Sequence, residues 1–140
     1  MAYFETATLV PDPNADDAPF WAHCAAHRLT FQRCAQCGHV VHPPIGVCPA
    51  CQSFEREWIA APSDATVFSF TWVHTAAHDA VAGAVPYNVV VVEFPDLPGV
   101  RLISNVIDAA PGTLAIGDPL TLVWEAVGEF ALPRFRKATG

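Results

Sequence analysis

The chain carries little charge, and positive charge is especially scarce. Only 15% of its 140 residues are charged, and 14 acidic side chains stand against 7 basic ones, which gives a formal net charge of -7. A nucleic-acid backbone requires a basic surface that displaces its counterions. The charge balance therefore opposes DNA or RNA as a partner.

Long apolar runs are also missing. No run approaches the ~20 residues that a helix needs to span a bilayer, and Val89–Val92 is only the size of a strand. Nothing at Met1–Val10 resembles a signal peptide. Yet 52% of the residues are apolar, which is high for a small globule with so few charges. We expect a cytoplasmic protein, not attached to a membrane, with an apolar surface that another protein covers.

Four of the five cysteines form two Cys-x-x-Cys pairs, Cys34 with Cys37 and Cys48 with Cys51. Ten residues separate the pairs, so a hairpin can fold one knuckle over the other and gather four thiolates around one ion. A closed Cys₄ set suits a structural Zn²⁺ and leaves no coordination position open for catalysis. Gly38 supplies the positive φ that such a turn commonly needs.

Two alternatives to zinc exist for these cysteines. Disulfides fit a secreted protein, but no signal peptide supports secretion. Iron fits rubredoxin-like knuckles, although rubredoxin has a longer interval between its pairs and its own aromatic core. The sequence therefore predicts a structural Zn²⁺ held by Cys34, Cys37, Cys48 and Cys51.

The first part of the chain predicts an arm, a helix and a zinc ribbon. Met1–Asn14 contains two prolines and no helical pattern, so it is expected to be extended. Asp17–His27 places apolar side chains on one helical stripe, after an aspartate that can cap the helix. Leu29–Arg33 then leads into the first knuckle as a strand. We assign residues 1–28 to the arm and helix and residues 29–57 to the ribbon.

Residues 58–140 predict a small five-stranded barrel of the OB-fold type, followed by a C-terminal tail. Tyr87–Phe94 is a continuous β-branched run, which is typical of a strand buried on both faces. Two loops, His74–Pro86 and Asp108–Pro119, are longer than a compact barrel requires. The chain is thus expected to be mainly β. Its barrel strands are predicted near Glu57–Ala61 and at Ala65–Val73, Tyr87–Phe94, Val100–Val106 and Leu120–Val127.

The ordered set of motifs resembles one family, the zinc-ribbon plus OB-fold proteins that accompany thiolase-superfamily enzymes acting on acyl-CoA. The likeness runs from about Phe20 to Lys137. One departure is Gln52, which follows the second knuckle where Gly38 follows the first. The motifs that carry the resemblance are Phe20-Trp21, Arg33-Cys34-Ala35-Gln36-Cys37-Gly38, Pro43-Pro44, Cys48-Pro49-Ala50-Cys51, Phe68-Ser69-Phe70-Thr71, Gly117-Asp118-Pro119-Leu120 and Leu132-Pro133-Arg134-Phe135-Arg136.

The resemblance implies a non-catalytic subunit of a hetero-oligomer. Its partner would be a thiolase, a hydroxymethylglutaryl-CoA synthase or a thiolase-like aldolase, for example in the degradation of steroid or aromatic acyl-CoA. The partner would carry the chemistry, and the barrel would help to shape the channel for the CoA thioester.

The C-terminal residues Arg134, Arg136 and Lys137 form the only basic cluster in the sequence. Arginine forks suit phosphate oxygens, so this cluster is a candidate for binding the phosphates of CoA. A contact with the partner subunit or a solvated tail would equally explain it.

The remaining candidates favour structural roles. Cys24 lies outside the knuckle pattern, on a helix among alanines, which is typical of a small buried hydrophobe. His39 and His42 are expected in solvent or in packing, because four thiolates already complete the metal site. His23, His27, His74 and His78 are dispersed and have no nucleophile at motif spacing.

Two functions from other classes compete with the accessory subunit. An OB-fold that binds single-stranded nucleic acid could use Phe68, Phe70 or Trp72, which strict alternation would place on one face, as stacking platforms. An independent enzyme could use Cys24 together with a histidine.

Overall fold

The computed structural model describes residues 3–4 and 10–139. Apart from a 3₁₀ turn at Asp79–Val81, these residues form one helix and two antiparallel sheets. Half of the predicted arm, Met1–Asn14, lies outside the described residues, and residues 10–14 have no regular structure. The elements in chain order are α1 (Ala18–Ala25), β1 (Thr30–Cys34), β2 (Val40–Val41), β3 (Arg56–Ala60), β4 (Ala65–Val73), β5 (Tyr87–Glu93), β6 (Arg101–Ser104), β7 (Pro119–Val127) and β8 (Phe130–Lys137).

Helix α1 lies within two residues of its predicted bounds. Asp17 precedes it, but the Asp17 carboxylate accepts the backbone N–H of Asn14 (2.7 Å) and does not bond to a helix N–H group. The chain leaves the helix at His27, whose φ of 58° is left-handed. The helix buries Phe20 and Cys24 against the sheets.

The ribbon sheet has the strand order β2-β1-β3. Its longer pairing joins β1 to β3, from Thr30 opposite Ala60 to Cys34 opposite Arg56. The prediction that the strand near Glu57–Ala61 belongs to the barrel is therefore wrong. After the second knuckle the chain runs back along β1 and pairs with the edge of β1 that β2 does not occupy.

The barrel sheet has the order β6-β5-β4-β7-β8. Its fifth strand is β8, so the prediction that these residues form a tail is also wrong. The eight residue pairs between β7 and β8 make a hairpin that begins opposite Lys137 and ends at Phe130. Thus the predicted five-stranded barrel is confirmed, but the strand that completes it is Phe130–Lys137.

The two edges of the barrel sheet meet just after β6. Val106 bridges to Phe135, and the Ile107 N–H donates to the Phe135 carbonyl (2.7 Å). The Ser104 hydroxyl donates to the Pro133 carbonyl (2.7 Å). Buried Asn88 in β5 accepts the Val106 N–H at its side-chain oxygen (2.7 Å). These bonds nearly close the barrel.

Strand β5 is buried on one face only. Asn88, Val90 and Val92 point into the barrel, while Val89 and Val91 are half-buried on the outer face. The expectation that both faces are buried is wrong for the isolated chain. On neighbouring β6, Ile103 is 70% exposed, so the outer face presents apolar side chains to solvent.

A single core joins the helix, the ribbon and the barrel. Fully buried Phe31 in β1 contacts Phe94, just after β5, with the ring centroids 5.2 Å apart and at an angle of 67°. Phe20 and Cys24 from the helix belong to the same cluster as Val67 of the barrel. The division at residues 28/29 and 57/58 stays a prediction. The described residues include no helix with the length and apolar character that a bilayer span requires.

We expect Phe31→Ala to lower the free energy of unfolding by about 3–5 kcal/mol, because it leaves a cavity between the ribbon and the barrel. Phe54→Ala is the matched control, since Phe54 is 78% exposed and its loss should cost less than about 0.5 kcal/mol. Denaturant unfolding of both variants measures the difference. Equal stabilities would contradict a shared core.

Candidate metal centre

The four thiols of Cys34, Cys37, Cys48 and Cys51 converge at the end of the ribbon sheet. All four Sγ atoms lie within 4.8 Å of one another. The closest pairs join opposite knuckles, with Cys34 Sγ 3.5 Å from Cys51 Sγ and Cys37 Sγ 3.6 Å from Cys48 Sγ. A tetrahedral Zn²⁺ with Zn–S bonds of about 2.3 Å places its sulfurs about 3.8 Å apart. The spacing fits that ion and is too long for a disulfide, whose sulfurs lie about 2.0 Å apart.

The two knuckles have the same backbone construction. The Gly38 N–H donates to the Cys34 carbonyl (2.9 Å), and the Gln52 N–H donates to the Cys48 carbonyl (2.8 Å). Gly38 adopts a φ of 81°, as predicted, and Gln52 adopts a φ of 66°. The departure at Gln52 therefore leaves the loop shape intact, at the modest cost of placing a non-glycine residue in the left-handed region.

Backbone N–H groups point at the sulfurs. The Cys37 N–H lies 3.4 Å from Cys34 Sγ, and the Ala50 N–H lies 3.4 Å from Cys48 Sγ. The Cys37 N–H holds the pKa of the Cys34 thiol low, at about 6. The pKa of Cys48 is also lowered, whereas those of Cys37 and Cys51 are raised. Metals bind thiolates, so the structure favours the ligand form at Cys34 and Cys48, and a bound cation would have to displace the protons of the other two.

Neither ribbon histidine joins the sulfur cluster. His39 is exposed, and its carbonyl accepts the Cys34 N–H (2.8 Å). His42 packs between Phe20 and Phe31, with ring centroids 5.2 Å away on both sides. Burial lowers the pKa of His42 to about 4, so its ring is neutral at pH 7. The His39 side chain thus faces solvent, and the His42 ring takes part in packing.

The hypothesis of an enzyme that uses Cys24 with a histidine finds no support among the described contacts. Cys24 is fully buried, and burial raises the pKa of its thiol to about 12, which suppresses the nucleophilic thiolate. His23 Nδ1 lies 2.8 Å from the Thr30 hydroxyl, and the His27 ring stacks on Trp124. No histidine within residues 10–139 forms an ion pair with a carboxylate.

Each of the three C-terminal basic residues has its own acidic partner. Arg134 Nε lies 3.3 Å from Glu125 Oε2, in a pair whose side chains are 13% and 6% exposed. Arg136 Nη2 lies 3.2 Å from Asp108 Oδ2 on the surface. Lys137 Nζ lies 3.2 Å from Asp118 Oδ2. The structure therefore places these cations in ion pairs along β8.

The three aromatic residues proposed as stacking platforms do not share an exposed face. A bulge between Val67 and Ser69 breaks the alternation of β4. Phe70 and Trp72 pack against the core as a result, while Phe68 is exposed and lies under the Arg101 guanidinium, 3.7 Å from the ring centroid. The prediction that Phe68 shares a face with Phe70 and Trp72 is therefore wrong.

Comparison with known proteins agrees with this architecture. Residues 21–56 match the family described as "ChsH2, rubredoxin-like zinc ribbon domain". Residues 58–125 match "ChsH2, C-terminal OB-fold domain". A solved chain described as "Ltp2-ChsH2(DUF35) aldolase" is 36% identical, with a TM-score of 0.83 over 93% of this chain and 100% of that one. The chain belongs to the DUF35 family.

Two curated relatives differ in length. A "DUF35 domain-containing scaffold protein" of Methanothermobacter thermautotrophicus is 30% identical over 78% of this chain and 81% of its own length. A "Probable enoyl-CoA hydratase alpha subunit" of Thermomonospora curvata is 40% identical over 91% of this chain. The present chain spans only 39% of that longer protein.

We expect Gly38→Ala to lower the free energy of unfolding by about 1–2 kcal/mol, because alanine is strained at a φ of 81° although no atom lies within 4 Å of its Cβ. Gly83→Ala is the control, since that site is equally open and its φ lies outside the left-handed region. The control should be neutral or stabilising by up to ~1 kcal/mol. Thermal or denaturant unfolding that ranks the two variants in the opposite order would contradict this account of the knuckle.

Proposed function

We propose that the chain is a non-catalytic accessory subunit that docks on the thiolase-fold catalytic subunit of an acyl-CoA enzyme. The observation that carries the proposal is the likeness to the solved chain described as Ltp2-ChsH2(DUF35) aldolase, which covers 93% of this chain and 100% of that one. A relative described as a scaffold protein supports a non-catalytic role. The buried, unreactive Cys24 is consistent with chemistry that resides in a partner.

We propose that Cys34, Cys37, Cys48 and Cys51 hold a structural Zn²⁺. The sulfur spacing and the N–H groups aimed at the thiolates support this assignment. Four protein ligands fill a tetrahedral shell, so the ion would stabilise the ribbon and take no part in catalysis. Thiolate ligands need a reducing compartment, and a cytoplasmic location follows as part of the proposal.

We expect the purified protein to be colourless and to contain about one zinc ion per chain, with binding worth an apparent ~10–16 kcal/mol that is coupled to folding. Cys37→Ser should lose the metal. Cys24→Ala should keep it, because Cys24 lies outside the sulfur cluster. Metal analysis and thiol titration measure both. Metal-free protein with all four knuckle cysteines in disulfides would contradict the site.

The outer barrel face supplies candidate contacts for the catalytic subunit. Ile103 is 70% exposed, next to the half-buried Val91 directly opposite it on β5. Apolar residues exposed on a sheet face favour a protein partner, because their burial on docking removes apolar area from water. Arg101, stacked on Phe68, gives the same face a positive charge.

If this face is the docking surface, Ile103→Glu should weaken assembly with the catalytic subunit at least about ten-fold, since a carboxylate would be buried without a partner. Ala22→Glu adds the same charge at an exposed helix position and should leave assembly unchanged. Co-purification and sedimentation of each variant with the partner measure the effect. Wild-type assembly of the Ile103 variant would exclude this face.

A contact between CoA phosphates and Arg134, Arg136 and Lys137 stays a prediction. The ion pairs of these residues determine which of them is the best one to replace. Replacing Arg134 would leave the buried Glu125 carboxylate unpaired, so loss of activity would report on folding. Arg136 is a cleaner probe, because its side chain and that of Asp108 are both 53% exposed.

We expect Arg136→Gln to raise the KM of the assembled enzyme for acyl-CoA several-fold with kcat nearly unchanged, and the rise should shrink at high salt. Arg33→Gln is the control, because Arg33 forms a comparable exposed ion pair with Glu57. Steady-state kinetics on purified complexes separates the cases. An unchanged KM together with weaker assembly would make Arg136 a subunit contact.

A further inference from the structure

Among the seven basic side chains, Arg28 has an unusual environment. Within residues 3–4 and 10–139 it is the one basic side chain with neither a carboxylate, a carbonyl oxygen nor an aromatic ring as a partner. The others are engaged as follows: Arg33 with Glu57, Arg134 with Glu125, Arg136 with Asp108, Lys137 with Asp118, Arg56 with the carbonyls of Ala15 and Asp16, and Arg101 with the Phe68 ring.

Arg28 lines a cleft of about 550 Å³ at the junction of the ribbon and the barrel. One wall comes from the ribbon side through Leu29 and Trp58, and the other comes from the barrel through Phe94 and Leu122. This volume is within the usual range for sites that hold small organic molecules. The cleft is therefore large enough for a ligand and is built from both parts of the fold.

The charge of the cleft is opposite in sign to that of the protein. Among residues 3–4 and 10–139, no aspartate or glutamate lines it, although the chain has 14 acidic residues against 7 basic ones. His23 lies at the same end as Arg28, with its Nδ1 2.8 Å from the Thr30 hydroxyl. Burial, and then the positive charge of Arg28, lower the pKa of His23. An anion at this end would be attracted by Arg28 and would favour the protonated form of His23.

We propose that this cleft binds an organic anion, with its carboxylate or phosphate group beside Arg28 and His23 and its apolar body against Leu29, Trp58 and Leu122. The guanidinium supplies a charge-assisted donor that has no partner among the residues described by the structure. The apolar walls select a ligand that carries carbon atoms behind its charge. The site is separate from the C-terminal ion pairs and does not depend on the accessory-subunit proposal.

The test uses the zinc-loaded full chain and three probes with the same six-carbon body: hexanoate, hexyl phosphate and hexan-1-ol. Saturation-transfer difference NMR at increasing probe concentration gives each affinity and works at low protein concentration. At least one anion should bind about ten-fold more tightly than the alcohol, as expected for one charge-assisted contact. The stronger anion identifies the head group as carboxylate or phosphate. Equal binding of all three probes would overturn the proposal.

Variants locate the binding site. Arg28→Gln should weaken the preferred anion about ten-fold and leave hexan-1-ol unchanged. Arg33→Gln removes the same charge from an exposed ion pair outside the cleft and should change neither affinity. Ser63→Phe, at an exposed lining position, should fill the cleft and weaken all three probes while the thermal midpoint stays near that of the wild type. Undiminished anion binding by Arg28→Gln would also overturn the proposal, whether or not the chain assembles with a catalytic subunit.

Discussion

The convergence of four sulfurs at the end of the ribbon is the constraint on which the rest of the molecule depends. It fixes where the chain leaves the second knuckle, and so places Arg56 opposite Cys34 at the start of the β1–β3 pairing. That pairing puts Trp58 opposite Gln32 and buries Phe31 against the barrel residue Phe94. The cleft between ribbon and barrel is a consequence of the same placement, because Trp58 forms part of its wall.

Local features of the fold could be predicted from the sequence. A Cys-x-x-Cys pair and the glycine after it define a knuckle within a few residues. The convergence of the four cysteines and the positive φ of Gly38 were both confirmed. Helix α1 followed from its apolar stripe, although the aspartate expected to cap it bonds to the Asn14 N–H instead. Strands β5 and β6 overlap the predicted strands Tyr87–Phe94 and Val100–Val106 and pair across the short segment between them. In each case the determining interactions lie close together in the chain.

Pairings between distant segments could not be predicted. The edge that pairs with β3 belongs to β1, which precedes it by more than twenty residues, and no pattern in either strand identifies the other. Strand β8 was not predicted, because Pro133 and the arginines of this segment suggest a solvated tail. Periodicity also failed at the bulge in β4, where the side chain of Phe68 changes face.

The charge environment of the candidate sites could not be predicted for the same reason, because it depends on residues that are distant in sequence. A basic cluster in the sequence does not reveal that Glu125, Asp108 and Asp118 already neutralise its members. The junction cleft draws its lining from several segments of both sheets, so the lack of acidic side chains among its described lining residues is visible only in the folded chain. Arg28 is separated from the predicted cluster in sequence and gives no motif. That it has no partner within the described part of the chain follows from the tertiary structure.

Hydrogen exchange with and without zinc tests the dependence of the fold on the sulfur cluster most directly. Removal of the metal by a chelator should abolish amide protection first along β1 and β3, because the knuckles no longer hold these strands in register. The β7–β8 hairpin, whose eight residue pairs lie far along the chain from the cysteines, should retain protection longest. Unchanged protection of β1 and β3 in the metal-free protein would contradict the account.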